Sequence, residues 1–589
     1  MILNYQKRKN VELFRDLEKI SITDVQNYSP IYNRFFALNE TTYNNINLNN
    51  QLYITNINQR GKHENIFRCK IKNIDNTTSK EKNVFFKLAP LIDPFKYLIG
   101  KYHLNNSIFT MPKINSTEGD EKILDVNNSA YVDGFFTFLM SKLLHSHKFL
   151  HAVDYYGSFL GIKNDFTLNV ADDIDYLNNS KFFNENKGTM FKVDDYEHLI
   201  EQEIKKPKII IKNDPLANYR LSAKSLNGDI FDDIFDETQR ASIDVSSMSL
   251  FEVSGNVFEN PKDTQMSLKS TSTCSSRTSY TNNEDSDSDN SEEDAEEDSD
   301  KNSGNEGHCE EESDEEESDE EEESDEGEGS DEEEEEVINA TLPKIPVQVI
   351  AMECCENTFD DLILNEELSK EEWFSAFMQI IMTLITYQKA FNFTHNDLHT
   401  NNIMYNKTTQ KNIYYCYNKQ HYKVPTFGRI FKIIDFGRSI YKFNKQTFCS
   451  DSFKAGEDAS TQYNVEPYFN ESKPRLEPNY SFDLCRLACS MFDFVVDDFE
   501  EINDLNKCDD PVKKIIAEWC TDDKGTNVLY KANGVERYPD FKLYKMIARC
   551  VHNHTPTAQL ERPEFKAYTS FIGEINGQII NIDDIPSYI

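Results

Sequence analysis

Apolar and polar positions alternate in the first part of this chain and change period further on. Leu52-Tyr53-Ile54, Ile66-Phe67-Arg68-Cys69-Lys70-Ile71 and Val84-Phe85-Phe86-Lys87-Leu88 are short runs parted by polar turns, a pattern that predicts three strands. Over 130–147 the period lengthens: Phe135, Phe136, Leu139, Leu143 and Leu144 recur at helical spacing. A strand-like run at 153–160 follows, and apolar patterning then lapses until a further strand at 346–352. Two amphipathic helices are predicted around 359–364 and 371–391, and the stripe Phe374, Phe377, Ile380, Ile381 and Leu384 of the second reads as core. Helical patterns continue to about Tyr568. The order is strands first and helices afterwards, which predicts an α+β chain with a small β-rich part and a larger helical part. Residues 1–50 read as an Asn- and Tyr-rich extension with a short helix, packed on a domain at 51–570, and 571–589 read as a C-terminal tail.

Composition changes this picture in the middle of the chain. The formal net charge of the 589 residues is -41, and about 33 acidic residues against Lys301 fall between Glu284 and Glu336, so roughly −32 of it lies in one run. Residues 240–281 are Ser/Thr-rich and 282–336 repeat Ser-Asp-Glu units. Such a stretch buries too little apolar surface to offset the entropy of ordering, so 240–336 is predicted to be a disordered insert within the domain. Ser313, Ser318, Ser324 and Ser330 each precede Asp, which suits an acidophilic kinase acting on them; a plain solvated spacer is the rival reading. The run should attract basic proteins. The remaining charge gives no nucleic-acid footprint. The 12 cysteines form no C-x-x-C pair, which suits a reducing compartment, and neither a signal region nor a membrane span is evident.

Chemistry concentrates in Phe393-Thr394-His395-Asn396-Asp397-Leu398-His399-Thr400-Asn401-Asn402-Ile403-Met404 and in Ile433-Ile434-Asp435-Phe436-Gly437. Phosphoryl transfer needs a carboxylate beside the attacking hydroxyl and oxygen ligands that hold Mg²⁺ on nucleotide phosphates. Asp397 suits the first role. Asn402 and Asp435 suit the second, because hard Mg²⁺ takes amide and carboxylate oxygens together with phosphate.

H-x-D-L-x-x-x-N followed by D-F-G resembles the catalytic and metal-binding loops of the eukaryotic-type protein-kinase superfamily. Within it the Asn-rich chain is most similar to the serine/threonine kinases of giant amoebal DNA viruses. The resemblance covers about 50–570 without the insert. It implies a two-lobed protein-kinase-like fold, ATP and Mg²⁺ as cofactors, Asp397 as catalytic base and Asn402 and Asp435 as metal ligands. It puts Lys87 on the phosphates, with Asp133 where the family carries Glu. The rival readings are an edge-strand lysine reaching water and a carboxylate facing a helix N-terminus. It gives the Glu353 carbonyl and the Cys355 amide to the adenine, with Met352 at the back of the pocket. Asp483 would accept hydrogen bonds from the catalytic-loop backbone, or merely cap its own helix.

Three departures stand out. Only Gly61 remains of the usual glycine-rich turn, although Asn56 and Asn58 could adopt left-handed backbone. Asn396 stands where the family has Arg, and His399 where it has Lys. The expected activity is ATP- and Mg²⁺-dependent phosphorylation of Ser or Thr in protein substrates, basic ones included, by a soluble intracellular chain of host cytoplasm or virion. No nucleic-acid or membrane partner is expected. A small-molecule kinase of the aminoglycoside or choline type, and a pseudokinase scaffold with an acidic recruiting insert, are the alternatives.

Overall fold

The computed structural model describes residues 1–589 except 62–63, 76–77, 103–105, 197–336, 497–504, 506–507, 532–533, 540, 572 and 574. The predicted insert at 240–336, with its four Ser-Asp sites, lies outside the described residues. The architecture is mixed: a β-rich N-terminal region and a helical C-terminal region share one continuous apolar core.

The N-terminal region opens with β1 (Tyr5–Lys7), β2 (Ile22–Gln26) and β3 (Ile46–Leu48), of which β1 and β3 pair. Its main sheet runs β2-β7-β9-β6-β5-β4, with β4 (Leu52–Arg60), β5 (Ile66–Asn73), β6 (Ser79–Pro90), β7 (Tyr155–Asn169) and β9 (Asn339–Glu353). All its ladders are antiparallel. Alternation along β6 buries Val84 and Phe86, and Phe86 packs its ring on Phe67 at 4.9 Å. Lys87 therefore stands on the opposite face, paired with Ile350 of β9. That face carries the Ser129–His147 helix, capped by the Asn128 side chain on the Ala130 N–H.

The short β8 (Lys192–Val193) pairs with Ala340 and Thr341 of β9, and the Asp194 N–H donates to the Asn339 carbonyl at 2.9 Å. The described residues on either side of 197–336 are thus paired in one ladder. A long segment can leave and re-enter there without disturbing the sheet, since loop closure costs little more as length grows.

β10 (Asn357–Thr358), β11 (Ile403–Lys407) and β14 (Arg429–Ile433) form a small sheet. The Lys370–Phe391 helix, started by a Ser369/Glu372 capping box, leads directly into the Asp397 loop. The hairpin β15 (Ile440–Phe443) and β16 (Gln446–Cys449) follows Asp435, and the Phe482–Val495, Pro511–Trp519 and Lys542–Cys550 helices complete the region. The 571–589 stretch is no loose tail: β12 (Asn412–Tyr417) and β13 (Gln420–Pro425) are joined by β17 (Thr569–Ser570) and β18 (Ile579–Asn581), and Ile580, Ile582 and Ile585 are buried. Among the described residues no helix is long and apolar enough to cross a membrane.

Candidate functional site

Lys87, Asp133 and Asp435 come from a strand, a helix and a loop and meet at one point. The Lys87 ammonium lies 2.6 Å from Asp133 and 2.8 Å from Asp435. Burial alone would lower the lysine's pKa, but the two carboxylates outweigh it and hold Lys87 above its ordinary value. Burial pushes the Asp133 carboxyl up, and Lys87 pulls against it. Asp133 also accepts the Phe436 N–H at 3.0 Å, so the helix grips the D-F-G segment directly. Aspartate is a short acid, and the helix that carries it lies close to β9 at Gly134. A Cβ built on Gly134 would stand 2.2 Å from the Gln348 amide nitrogen, so a side chain there requires the buried Gln348 side chain to shift or the helix to move.

The Asp397 loop is held from below by Asp483. Its carboxylate accepts the His395 and Asn396 N–H groups, each at 2.9 Å, and is wholly buried. This is backbone anchoring across the site; helix capping does not describe it. Asn396 takes left-handed backbone (φ 64), which asparagine tolerates better than most residues. Its amide donates to the Arg438 carbonyl at 3.0 Å and accepts the Tyr463 hydroxyl at 2.9 Å. Asn396 is thus a buried bridge between this loop and the segment after D-F-G. Asp435 is left-handed as well (φ 62) and accepts the Gly437 N–H through its own side chain.

Asn402 donates its amide N–H groups to the Asp397 carbonyl (2.9 Å) and to His399 Nε2 (3.0 Å). Its amide oxygen is then the atom with which it could ligate a cation. His399 accepts that bond as a neutral ring, and burial lowers its pKa to about 4.

Beside Asp397 lie further groups that the sequence did not single out. Asp397 is only 3% exposed, and its Oδ1 accepts the Tyr544 hydroxyl at 2.8 Å. Arg486 Nε donates to the same hydroxyl at 2.9 Å. Arg438, next after D-F-G, is 4% exposed and lies over the rings of Phe541 and Tyr544. Burial would raise the Asp397 carboxyl, yet Arg438 first, then His399, Arg486 and the Tyr544 bond, hold it below the ordinary aspartate value. A buried arginine directly after D-F-G was the one signal that could have pointed here.

The adenine-side residues are placed less tellingly. The Glu353 N–H donates to the Asp154 carbonyl at 2.8 Å, and its carboxylate lies 3.0 Å from Lys432 and accepts Asn406 at 2.7 Å. Its side chain therefore ties β9 to β11 and β14. Cys355 is partly buried beside it. Gly61 sits at the β4–β5 turn with its N–H on the Ile66 carbonyl, where a Cβ would collide at 2.6 Å. Asn56 and Asn58 form no left-handed turn: β4 runs on to Arg60, and they lie within it, reaching Glu12 and Glu81. Set against known proteins, the chain matches no family model and no curated protein.

Proposed function

We propose that this chain is an ATP- and Mg²⁺-dependent kinase of protein-kinase-like, two-lobed fold that transfers phosphate to Ser or Thr of proteins. The observation that carries the reading is the convergence of Lys87, Asp133 and Asp435 from three separate elements, beside a loop that holds Asp397 and Asn402. Lys87 and the β4–β5 turn at Gly61 would hold the nucleotide phosphates, with the Glu353 carbonyl and Cys355 amide at the base. Among the described residues no group of three or more His, Cys, Asp or Glu side chains could hold a metal by itself. Mg²⁺ needs one or two protein oxygens and completes its shell with phosphate and water. Asp435 and Asn402 supply such oxygens. When bound, the ion neutralises charge on the phosphates. The chain's own work is to orient the triphosphate through Lys87 and to take the acceptor's proton at Asp397, whose low pKa keeps it ionised.

One observation favours a scaffold without turnover instead: Asp397 is buried and its Oδ1 is already engaged by Tyr544. Labelled ATP with Mg²⁺ and mixed protein substrates decides between the two. Asp397→Asn should abolish transfer and leave nucleotide binding nearly intact, and Asp435→Ala should weaken Mg·ATP binding itself. Nucleotide binding without transfer to any acceptor would favour the scaffold.

A further inference from the structure

Tyr544 stands where an acceptor hydroxyl must stand for Asp397 to act on it. A base has to lie within hydrogen-bond reach of the proton it removes, and the phenol donates to Asp397 Oδ1 at 2.8 Å. The other carboxylate oxygen, Oδ2, makes no hydrogen bond among the described residues. The ring is fixed, stacked on Phe541 at 4.8 Å and 95% buried, so the hydroxyl is presented by the folded chain itself. Arg486 Nε, 2.9 Å from the same oxygen, opposes the negative charge that would grow there.

A second observation points to an anion at this place. Arg438 is 96% buried, yet none of its three guanidinium nitrogens makes a hydrogen bond among the described residues. Its nearest acid is Asp458 at 3.7 Å, and its guanidinium carbon lies 5.7 Å from the Tyr544 ring centre. A buried guanidinium left without hydrogen bonds is costly unless it finds acceptors, and a phosphomonoester offers three oxygens.

We infer that Tyr544 is a self-modification site: the chain transfers the terminal phosphate of a nucleoside triphosphate to its own Tyr544 hydroxyl. The inference rests on the kinase reading above. A bond forms between the Tyr544 oxygen and the γ-phosphorus, the bond from that phosphorus to the bridging β,γ-oxygen breaks, Asp397 takes the phenolic proton and nucleoside diphosphate leaves. Burial holds the phenol at about 12, so it enters the step as a neutral hydroxyl in need of a base. The dianion formed has Arg486 and Arg438 to pair with and repels Asp397, which would free the carboxylate for an external acceptor.

The test is to incubate the full chain with Mg²⁺ and γ-labelled ATP and to map the phosphopeptides by mass spectrometry. Phosphate is expected on Tyr544, with a rate constant unchanged on serial dilution of the protein. Asp397→Asn should slow that labelling by about 100-fold or more. Tyr544→Phe, which keeps the stacked ring, should remove it. Transfer to an added protein with Tyr544 unmodified overturns this inference and leaves the kinase reading standing. Labelling of Tyr544 whose rate rises with protein concentration overturns the intramolecular step. Absence of transfer to any acceptor overturns both readings.

Discussion

Gly134→Ala tests the packing that lets a short acid reach Lys87. The new methyl would stand 2.2 Å from the Gln348 amide nitrogen, 3.1 Å from its Cδ and 3.4 Å from the Ile350 Cδ1. It is therefore about 1.2 Å short of ordinary contact. Alanine favours a helix interior by about 1 kcal/mol over glycine. Overpacking costs about 1–3 kcal/mol and works against that gain. Gln348 is only 3% exposed, so its side chain has little room to swing and the helix has to retreat. A retreat of about 1 Å would open the Lys87–Asp133 contact from 2.6 Å beyond hydrogen-bond range and loosen the Phe436 N–H bond at 3.0 Å. Removing hydrogen bonds to a buried carboxylate adds about 1–3 kcal/mol, only part of it realised because the charges stay near one another. The expected net loss is about 1–3 kcal/mol in urea denaturation, with Mg·ATP affinity reduced about tenfold by calorimetry. Gln348→Ala added to the same chain should recover most of both. A Gly134→Ala protein that is more stable by about 1 kcal/mol, with unchanged nucleotide affinity, would refute the argument, because helix propensity alone predicts that outcome.

The segment after D-F-G should work without being phosphorylated. The Asp451 carboxyl lies 2.6 Å from Lys122 and accepts the Ser129 N–H at 2.9 Å, while Ser450 is buried. A protein with Thr447, Ser450, Ser452, Ser460 and Thr461 all changed to Ala should keep activity within about threefold of the parent in a peptide assay, whereas Asp451→Asn should lower it further. A large loss in the Ala variant, restored by acidic residues, would sink this. A pH prediction follows from His151, whose wholly buried ring bonds the Phe431 carbonyl through Nδ1 at 2.7 Å and the Tyr415 hydroxyl through Nε2 at 2.6 Å. Burial lowers its pKa from 6.5 to about 4, so below pH 6.5 the unfolded chain binds a proton that the folded chain refuses until pH nears 4. Stability is therefore full above pH 6.5 and falls as pH drops, by about 2 kcal/mol at pH 5 from this residue alone. Urea titrations at pH 7 and pH 5 should show His151→Gln losing correspondingly less than the parent; equal losses would show that the ring is not held neutral.

The sequence disclosed those parts of the fold and site in which chemistry and spacing lie close together along the chain. Asp397 and Asn402 are five residues apart on one loop, and the helix carrying Asp133 announces itself by its apolar period. What stayed hidden came from contacts made across the fold. Asp397 meets Tyr544 from 147 residues away, and Arg34 with Thr447 and Lys122 with Asp451 join the N-terminal region to the segment after D-F-G over 413 and 329 residues. No local period reports such pairs. β4 was cut short for a different reason: it is the edge of the sheet, and its polar residues from Asn56 to Arg60 mimic a turn while still pairing with β5. β18 is three residues long and draws its place from a parallel ladder with β12, which a tail-like composition conceals. Asn396 shows the limit most clearly. As a missing arginine it reads as a loss, but in the folded chain its amide joins Arg438 and Tyr463, and the same backbone turn carries Arg438 beside Asp397. The cationic side chains beside Asp397 are Arg438, directly after D-F-G, and Arg486. A substitution in a motif is therefore a statement about the partners that surround it, and only the folded chain names them.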